Sequence, residues 1–132
     1  MWRIDCRTKR GGAVALACVA LLALTACFET IGTPATGVPG GDAALGRQAI
    51  SNYGCGACHT IPGVTAARGV VGPPLAGIAN RSFIAGKLRN EPDNMILWIQ
   101  HPQTVWPGNA MPDMHVTDGD ARNIAAYLYT LK

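Results

Sequence analysis

The residues with the clearest chemical potential are Cys55, Cys58 and His59, which stand in the pattern Cys-x-x-Cys-His. Two thiols three positions apart lie on one side of a helical turn, so they can bond the two vinyl groups of a single porphyrin. The histidine that follows directly would then lie against the iron. This spacing is the attachment signature of c-type haem, and it predicts one haem c held covalently through both cysteines.

Two other uses of a cysteine pair lack the residues that they need. A structural zinc ion takes four Cys or His ligands, but the sequence has no second cysteine pair, and His101 and His115 are isolated. A thioredoxin-like redox pair would need a βαβ context, whereas the apolar spacing of this chain is helical. Both alternatives are therefore disfavoured.

A six-coordinate haem needs a second axial ligand, and the chain offers several. The candidates are Met95, Met111, Met114, His101 and His115. Spacing alone does not choose among them, so at this point the second ligand stays open.

Residues 1–26 have the order of an export signal, which the mature protein lacks. Four basic residues precede an apolar stretch of 14 residues at 13–26. That stretch is too short to span a bilayer, which takes roughly 20 helical residues. It ends in Leu-Thr-Ala before Cys27, which resembles the lipobox of bacterial lipoproteins. The resemblance implies cleavage before Cys27 and acylation of that residue, although a buried or free cysteine is the alternative reading.

The formal net charge of +3 belongs to this signal. Removing residues 1–26 takes away four of the 11 basic residues and one of the 8 acidic ones, which leaves seven of each. A neutral mature chain gives no support to nucleic-acid binding. The signal also contains Cys6 and Cys18, so with Cys27 at the anchor no disulfide framework remains.

Residues 27–40 combine Gly, Pro and Thr without apolar periodicity, which predicts a lipid anchor followed by a flexible linker. Residues 41–132 then form one small domain. Its spacing predicts short helices: one capped by Asp42, one containing the cysteine pair, one with Pro92 in its first turn, and one beginning at Thr117. Because no alternating strand is present, the predicted fold class is all-α.

Most of residues 41–132 resembles the class I cytochrome c family. The shared features are an early helix with Gly46, the haem motif, Gly-Pro-Pro-Leu at 72–75, Pro-Gly-x-x-Met at 107–111 and a closing helix with Ala-Ala-Tyr-Leu at 125–128. The resemblance implies a small helical domain wrapped around the haem, with Met111 as the second iron ligand beside His59. It also implies a close crossing of the terminal helices at Gly46 and Tyr127.

The same resemblance assigns supporting roles around the haem. It implies that the Pro73 carbonyl accepts the Nδ1 proton of His59. It places Arg81 and Asn109 at the haem propionates and Trp98 close to the ligand methionine. A solvated arginine and a plain turn asparagine are the alternatives for the first two, and core packing explains the tryptophan equally well.

These residues predict an electron carrier rather than an enzyme. Histidine and methionine ligation gives a high reduction potential and leaves no open coordination position for a substrate. The expected function is a monohaem respiratory carrier, lipid-anchored to a membrane on the periplasmic side of a bacterial cell envelope, and either monomeric or part of a complex. Its expected redox partners are a quinol-oxidising complex, a terminal oxidase or a dehydrogenase.

Two alternatives to a free carrier stay open. One is a subunit through which electrons enter a periplasmic dehydrogenase or terminal oxidase complex. The other is a haem gas sensor or peroxidase-like enzyme with a labile sixth ligand.

Overall fold

A computed structural model describes residues 37–132 of the chain. The predicted signal at 1–26, the anchor residue Cys27 and the first part of the predicted linker lie outside the described residues. The described elements are α1 (Ala43–Asn52), β1 (Phe83–Ile84), β2 (Leu88–Arg89), α2 (Pro92–Gln100), α3 (Pro102–Val105) and α4 (Asp118–Leu128), with short 3-10 turns at Cys55–Ala57 and Ile78–Asn80. No helix within residues 37–132 is both long and apolar enough to cross a bilayer.

The two terminal helices begin at the caps that the sequence predicts. The Asp42 carboxylate accepts hydrogen bonds from the amides of Ala44 and Leu45 at 2.7 and 3.0 Å. The Thr117 hydroxyl accepts one from the amide of Asp120 at 3.2 Å. Such bonds satisfy donors that the first helical turn leaves without a partner, so both predicted helix starts are confirmed.

The terminal helices cross with their backbones almost in contact. A Cβ atom at Gly46 would overlap the carbonyl of Asn123 and lie 3.0 Å from the amide of Ile124. The glycine therefore admits the backbone of α4 rather than an aromatic ring. Tyr127 instead reaches past the crossing and donates a hydrogen bond from its hydroxyl to the Pro62 carbonyl at 2.6 Å.

The core of the described residues is apolar throughout. Its members come from the three longest helices, α1, α2 and α4, and from the segments that connect them. No polar or charged side chain among the described residues is buried with them. The largest fully buried side chains are Ile50, Met95, Val38 and Pro102. Helix α2 begins with Pro92 as predicted and contributes Met95, Ile96 and Ile99 to this core.

Two predictions about secondary structure are confirmed only in part. Cys55 begins a 3-10 turn of three residues, Cys55–Ala57, and Cys58 is its C-cap, so the pair does not lie within a longer helix. The class is mostly helical rather than purely α, because β1 and β2 pair as an antiparallel hairpin. The hairpin closes through Ala85 and Gly86, which both have positive φ. Strands of two residues are too short for an alternating pattern to be visible in the sequence.

The buried core includes a residue that precedes the predicted domain boundary at residue 41. Val38 is fully buried in the core, and the amide of Gly41 donates to its carbonyl at 3.1 Å. A Cβ at Gly41 would lie 2.7 Å from the carbonyl of Arg122 on α4. The end of the predicted linker is thus part of the domain, a role that its Gly- and Pro-rich composition concealed.

Candidate functional site

A cavity of about 440 Å³ lies among the helices, and it brings the chemically interesting residues together. Cys55, Cys58, His59, Met111 and Met114 all line it. Most of the remaining lining is aliphatic and includes Ile50, Ile78, Ile84, Ile99, Ile124 and Leu128. A large apolar cavity with a few polar groups or metal ligands at its wall is the usual form of a cofactor site.

The cysteine turn presents two thiols to this cavity. Gly54 has a φ of 70° and starts the 3-10 turn, after which the amides of Cys58 and His59 both donate to the Cys55 carbonyl at 3.2 and 3.0 Å. The two cysteines are free thiols and form no disulfide. Burial raises the pKa of the Cys55 thiol above its usual value.

The imidazole of His59 is oriented by the segment that follows it. Its Nδ1 lies 2.8 Å from the Pro73 carbonyl, and because a carbonyl only accepts, Nδ1 carries the proton and Nε2 is free to bind a metal. The ring packs directly on Gly72, where a Cβ would lie 2.6 Å from Nδ1 and 2.8 Å from Nε2. The position of the His59 ring is thus fixed by its hydrogen bond to Pro73 and by its close packing on Gly72, which has no side chain.

Backbone bonds hold that segment against the cysteine turn. The amide of Gly69 donates to the Gly56 carbonyl at 3.0 Å, and the amide of Gly72 donates to the Cys58 carbonyl at 2.8 Å. A Cβ at Gly56 would lie 2.8 Å from both Cα and Cβ of Ala67. Glycines therefore let two stretches of backbone pack directly on each other beside the haem motif.

The structure separates the candidates for the second iron ligand. His101 and His115 are exposed, and neither lines the cavity. Met95 lines it but is only 2 % exposed and belongs to the core. Met111 is half-buried in the cavity wall, and Met114 lies nearby with 38 % of its surface exposed.

Side chains, rather than backbone bonds, shape the loop that contains Met111. The Asn109 amide nitrogen donates to the carbonyls of Pro102 and Trp106 at 2.9 and 2.7 Å. The side-chain Oδ1 of Asn109 accepts a hydrogen bond from the backbone amide of Met111 at 2.7 Å. From α3, the side chain of Gln103 donates to the carbonyls of Asn109 and Met111 at 3.0 and 2.7 Å.

Comparison with known proteins identifies the domain. The family model named Cytochrome c matches residues 43–132, which is more than half of the chain. The chain belongs to the cytochrome c family. Members carry covalently attached haem c, and Cys55 and Cys58 have the spacing that attaches it.

Two curated relatives of this cytochrome c domain carry the same description. Cytochrome c oxidase subunit 2 of Alkalihalophilus pseudofirmus is 38 % identical over 90 residues, which cover 66 % of this chain and 25 % of the relative. Cytochrome c oxidase subunit 2 of Bacillus sp. strain PS3 is 33 % identical over 89 residues, which cover 64 % of this chain and 25 % of the relative. The chain thus spans about a quarter of the length of the relatives that it matches.

The site of this cytochrome c fits haem c on its own geometry. Both cysteines line the apolar cavity, and the bond of Nδ1 to Pro73 leaves the Nε2 of His59 free. Gly72 has no side chain, so the imidazole ring can pack directly on it. When bound, haem c supplies a one-electron iron couple. Cys55, Cys58 and His59 are the residues that would hold the cofactor, and the aliphatic side chains that line the cavity would surround it.

Three residues with predicted roles beside the haem also line the cavity, namely Arg81, Asn109 and Trp98. Both bonds of Arg81 run from Nη2, to the carbonyls of Pro74 and Ala76. Nη1 and Nε can therefore still donate to a propionate. Asn109 differs, because both of its donor hydrogens are directed at backbone carbonyls. Trp98 is half-buried against the core.

Sequence reasoning missed two contacts at this site. The first is made by Gln103, which belongs to no recognisable sequence motif. The second is the ammonium group of Lys87 in the hairpin, which lies 4.6 Å from the centre of the Trp106 ring. Neither could be found from spacing, because each depends on how separate elements pack together.

Proposed function

We propose that this protein is a one-electron carrier of a respiratory chain, with haem iron bound by His59 and Met111, and that it is tethered to a membrane. The observation that carries the proposal is the cavity in which both cysteines, His59 and Met111 meet. The matches to oxidase subunits support its respiratory context.

Met111 is preferred to Met114 because the loop around it is built to hold it still. The amide and the carbonyl of Met111 are both hydrogen-bonded to side chains, those of Asn109 and Gln103. Met114 precedes His115, which has a positive φ of 52° and is largely exposed. An axial ligand needs a fixed position, so the braced residue suits the role better.

This ligand set favours a high-potential carrier. A thioether donor stabilises ferrous iron, and an apolar surrounding disfavours the extra positive charge of the ferric state. With both axial positions filled by the protein, no position is open for oxygen or peroxide. Electron transfer is therefore the activity that the site supports.

The test of the ligand is an optical spectrum of the ferric holoprotein in three forms: unchanged, Met111→Ala and Met114→Ala. We expect the iron to methionine-sulfur band to be lost in Met111→Ala and retained in Met114→Ala. A band that persists in Met111→Ala would refute the assignment. Carbon monoxide binding to the unchanged ferrous protein would instead support the gas-sensor or enzyme alternative.

A second candidate function is that of a subunit or domain of an oxidase complex. It is favoured by the description of both relatives as subunit 2 of a cytochrome c oxidase. Purification from native membranes under mild detergent distinguishes the two candidates. A free carrier separates from oxidase activity, whereas a subunit elutes with it at a constant haem c to oxidase ratio.

The tether is proposed to be the acylated Cys27, on the periplasmic side of a bacterial membrane. Because Val38 is already part of the domain, the chain between anchor and domain comprises residues 28–37. Fully extended, these ten residues reach about 35 Å, which keeps the haem near the membrane surface. Cys27→Ser should move the protein from the membrane to the soluble fraction, and continued membrane association would refute the anchor.

A further inference from the structure

The Met111 loop has almost no backbone bonds of its own. Within residues 107–116, all of which the structure describes, the single backbone to backbone bond donated is that from Asn109 to the Trp106 carbonyl at 3.2 Å. Pro107 and Pro112 cannot donate at all. A segment without a hydrogen-bond ladder keeps one conformation only if side chains fix it.

The amide of Gln103 meets this need from a neighbouring helix. Its Nε2 donates to the carbonyls of Asn109 and Met111 at 3.0 and 2.7 Å, and its Oε1 accepts from the amide of Gly108 at 3.0 Å. Both donor hydrogens and the acceptor are thus used on one loop. The three contacts fall on both sides of residue 110.

These contacts lie where the loop needs them most. Gly108 has a φ of 79°, in the left-handed region, and Gln103 Oε1 binds the amide of that same residue. Gln103 itself is half-buried and follows the fully buried Pro102 at the start of α3. The backbone next to Gln103 is therefore anchored in the core, and part of the Gln103 side chain is shielded from competing water.

We infer that Gln103 is a positioning residue for the axial methionine, which holds the Met111 carbonyl and the turn at Gly108 so that the sulfur stays within reach of the iron. The inference rests on the proposed ligation by Met111. Gln103 does not touch the metal. It sets how often the methionine leaves, and hence how readily an external ligand takes its place.

The measurement is the affinity of the ferric holoprotein for added imidazole, which binds only where methionine has left. The apparent affinity rises with the fraction of molecules in the open state. Gln103→Met has similar length and removes all three bonds. Since three hydrogen bonds to the loop are lost together, and each makes a net contribution to its stability, we expect the affinity to rise about tenfold or more.

The matched control is Gln100→Met. Gln100 is also half-buried and donates one long bond, at 3.4 Å, to the carbonyl of Val116, the last residue of the loop, and makes none to Gly108, Asn109 or Met111. Its imidazole affinity should stay within about twofold of the unchanged protein, since a bond this long contributes little. A second readout is hydrogen exchange in the ferrous protein, where the Gly108 amide should exchange faster in Gln103→Met only.

The outcomes separate this inference from the proposed ligation. If Met111→Ala keeps the sulfur band, the ligation itself is wrong, and the inference falls with it. If Met111→Ala loses the band but Gln103→Met binds imidazole as the unchanged protein does, the ligation stands and Gln103 has no positioning role. Should Gln103→Met fail to assemble, Gln103→Glu keeps the shape and the acceptor while removing both donors. Unchanged imidazole affinity in that variant would equally overturn the inference.

Discussion

The two sides of the haem site are built in different ways. The histidine segment, residues 55–75, is held by backbone hydrogen bonds and by glycines that let chain pack on chain. In the methionine segment, residues 101–116, the loop that follows α3 is held by the side-chain amides of Gln103 and Asn109. The first should be sensitive to added atoms, and the second to lost hydrogen bonds. Substitutions of these two kinds test whether the two segments differ in this way.

The largest effect should follow from adding one methyl group to the histidine segment. In Gly72→Ala the new Cβ would lie 2.6 Å from Nδ1 of His59, so the ring must move and its bond to Pro73 must lengthen. Overpacking at a rigid contact costs about 1 to 3 kcal/mol, and here it would also displace the proposed iron ligand His59. We expect most of the haem incorporation to be lost, measured as haem per polypeptide.

The control for this change is Gly119→Ala in α4. A Cβ at Gly119 would meet no atom within 4 Å, and alanine is the better helix former. Haem content should be unchanged and the melting temperature equal or higher. Normal haem content in Gly72→Ala would mean that the histidine segment adjusts freely and that its glycine contacts do not fix the position of His59.

The next effect should come from the methionine segment, on removing an amide. Asn109→Ala takes away two donated bonds and one accepted bond. At on the order of 1 kcal/mol each, part of it recovered by water, we expect the free energy of unfolding to fall by about 2 kcal/mol. Denaturant unfolding of the holoprotein measures it.

Asn94→Ala is the matched control, because Asn94 donates one bond, to the Arg89 carbonyl at 3.0 Å. Its loss should be no more than about 1 kcal/mol. Equal losses at residues 109 and 94 would show that the methionine segment does not depend on its amides.

The difference between the two segments explains what the sequence revealed and what it concealed. Fixed spacing identified the haem motif, and helix caps at Asp42 and Thr117 and the proline at residue 92 identified three of the helices. These signals are local. The bond from His59 to Pro73 followed from a family resemblance, and the structure has that geometry at 2.8 Å.

What the sequence could not supply were contacts between separate elements. Gln103 reads as an ordinary helix residue until α3 is packed beside the loop, and Val38 reads as linker until it meets the core. The two-residue strands and the 3-10 turn at Cys55–Ala57 are too short for any periodicity to reveal them. A hydrogen bond from a side chain to a distant loop follows no spacing rule in the sequence. A close contact between two backbones requires a glycine, and that glycine is visible in the sequence.

A smaller effect is expected where the hairpin contacts the methionine segment. Lys87→Met removes the ammonium group above Trp106 while keeping an apolar stem over the ring. Exposed cation–π pairs contribute about 0.5 to 1 kcal/mol, so unfolding should become easier by about that amount. A double-mutant cycle with Trp106→Leu isolates the pair, and Lys132→Met serves as a control at the exposed C-terminus. A coupling energy of zero would show that the hairpin does not stabilise the methionine segment through this pair.

The smallest effect should come from a side-chain bond on the histidine segment. The Thr60 hydroxyl donates to the Gly69 carbonyl at 3.0 Å at an exposed position, and the backbone bonds of Gly69 and Gly72 hold the same stretch without it. Thr60→Val keeps the branched shape and should cost about 0.5 kcal/mol or less, because water can replace an exposed donor. Haem content and denaturant unfolding together measure the change. A loss as large as that of Asn109→Ala would mean that both segments depend on side-chain bonds, and the contrast between them would then reduce to the glycines alone.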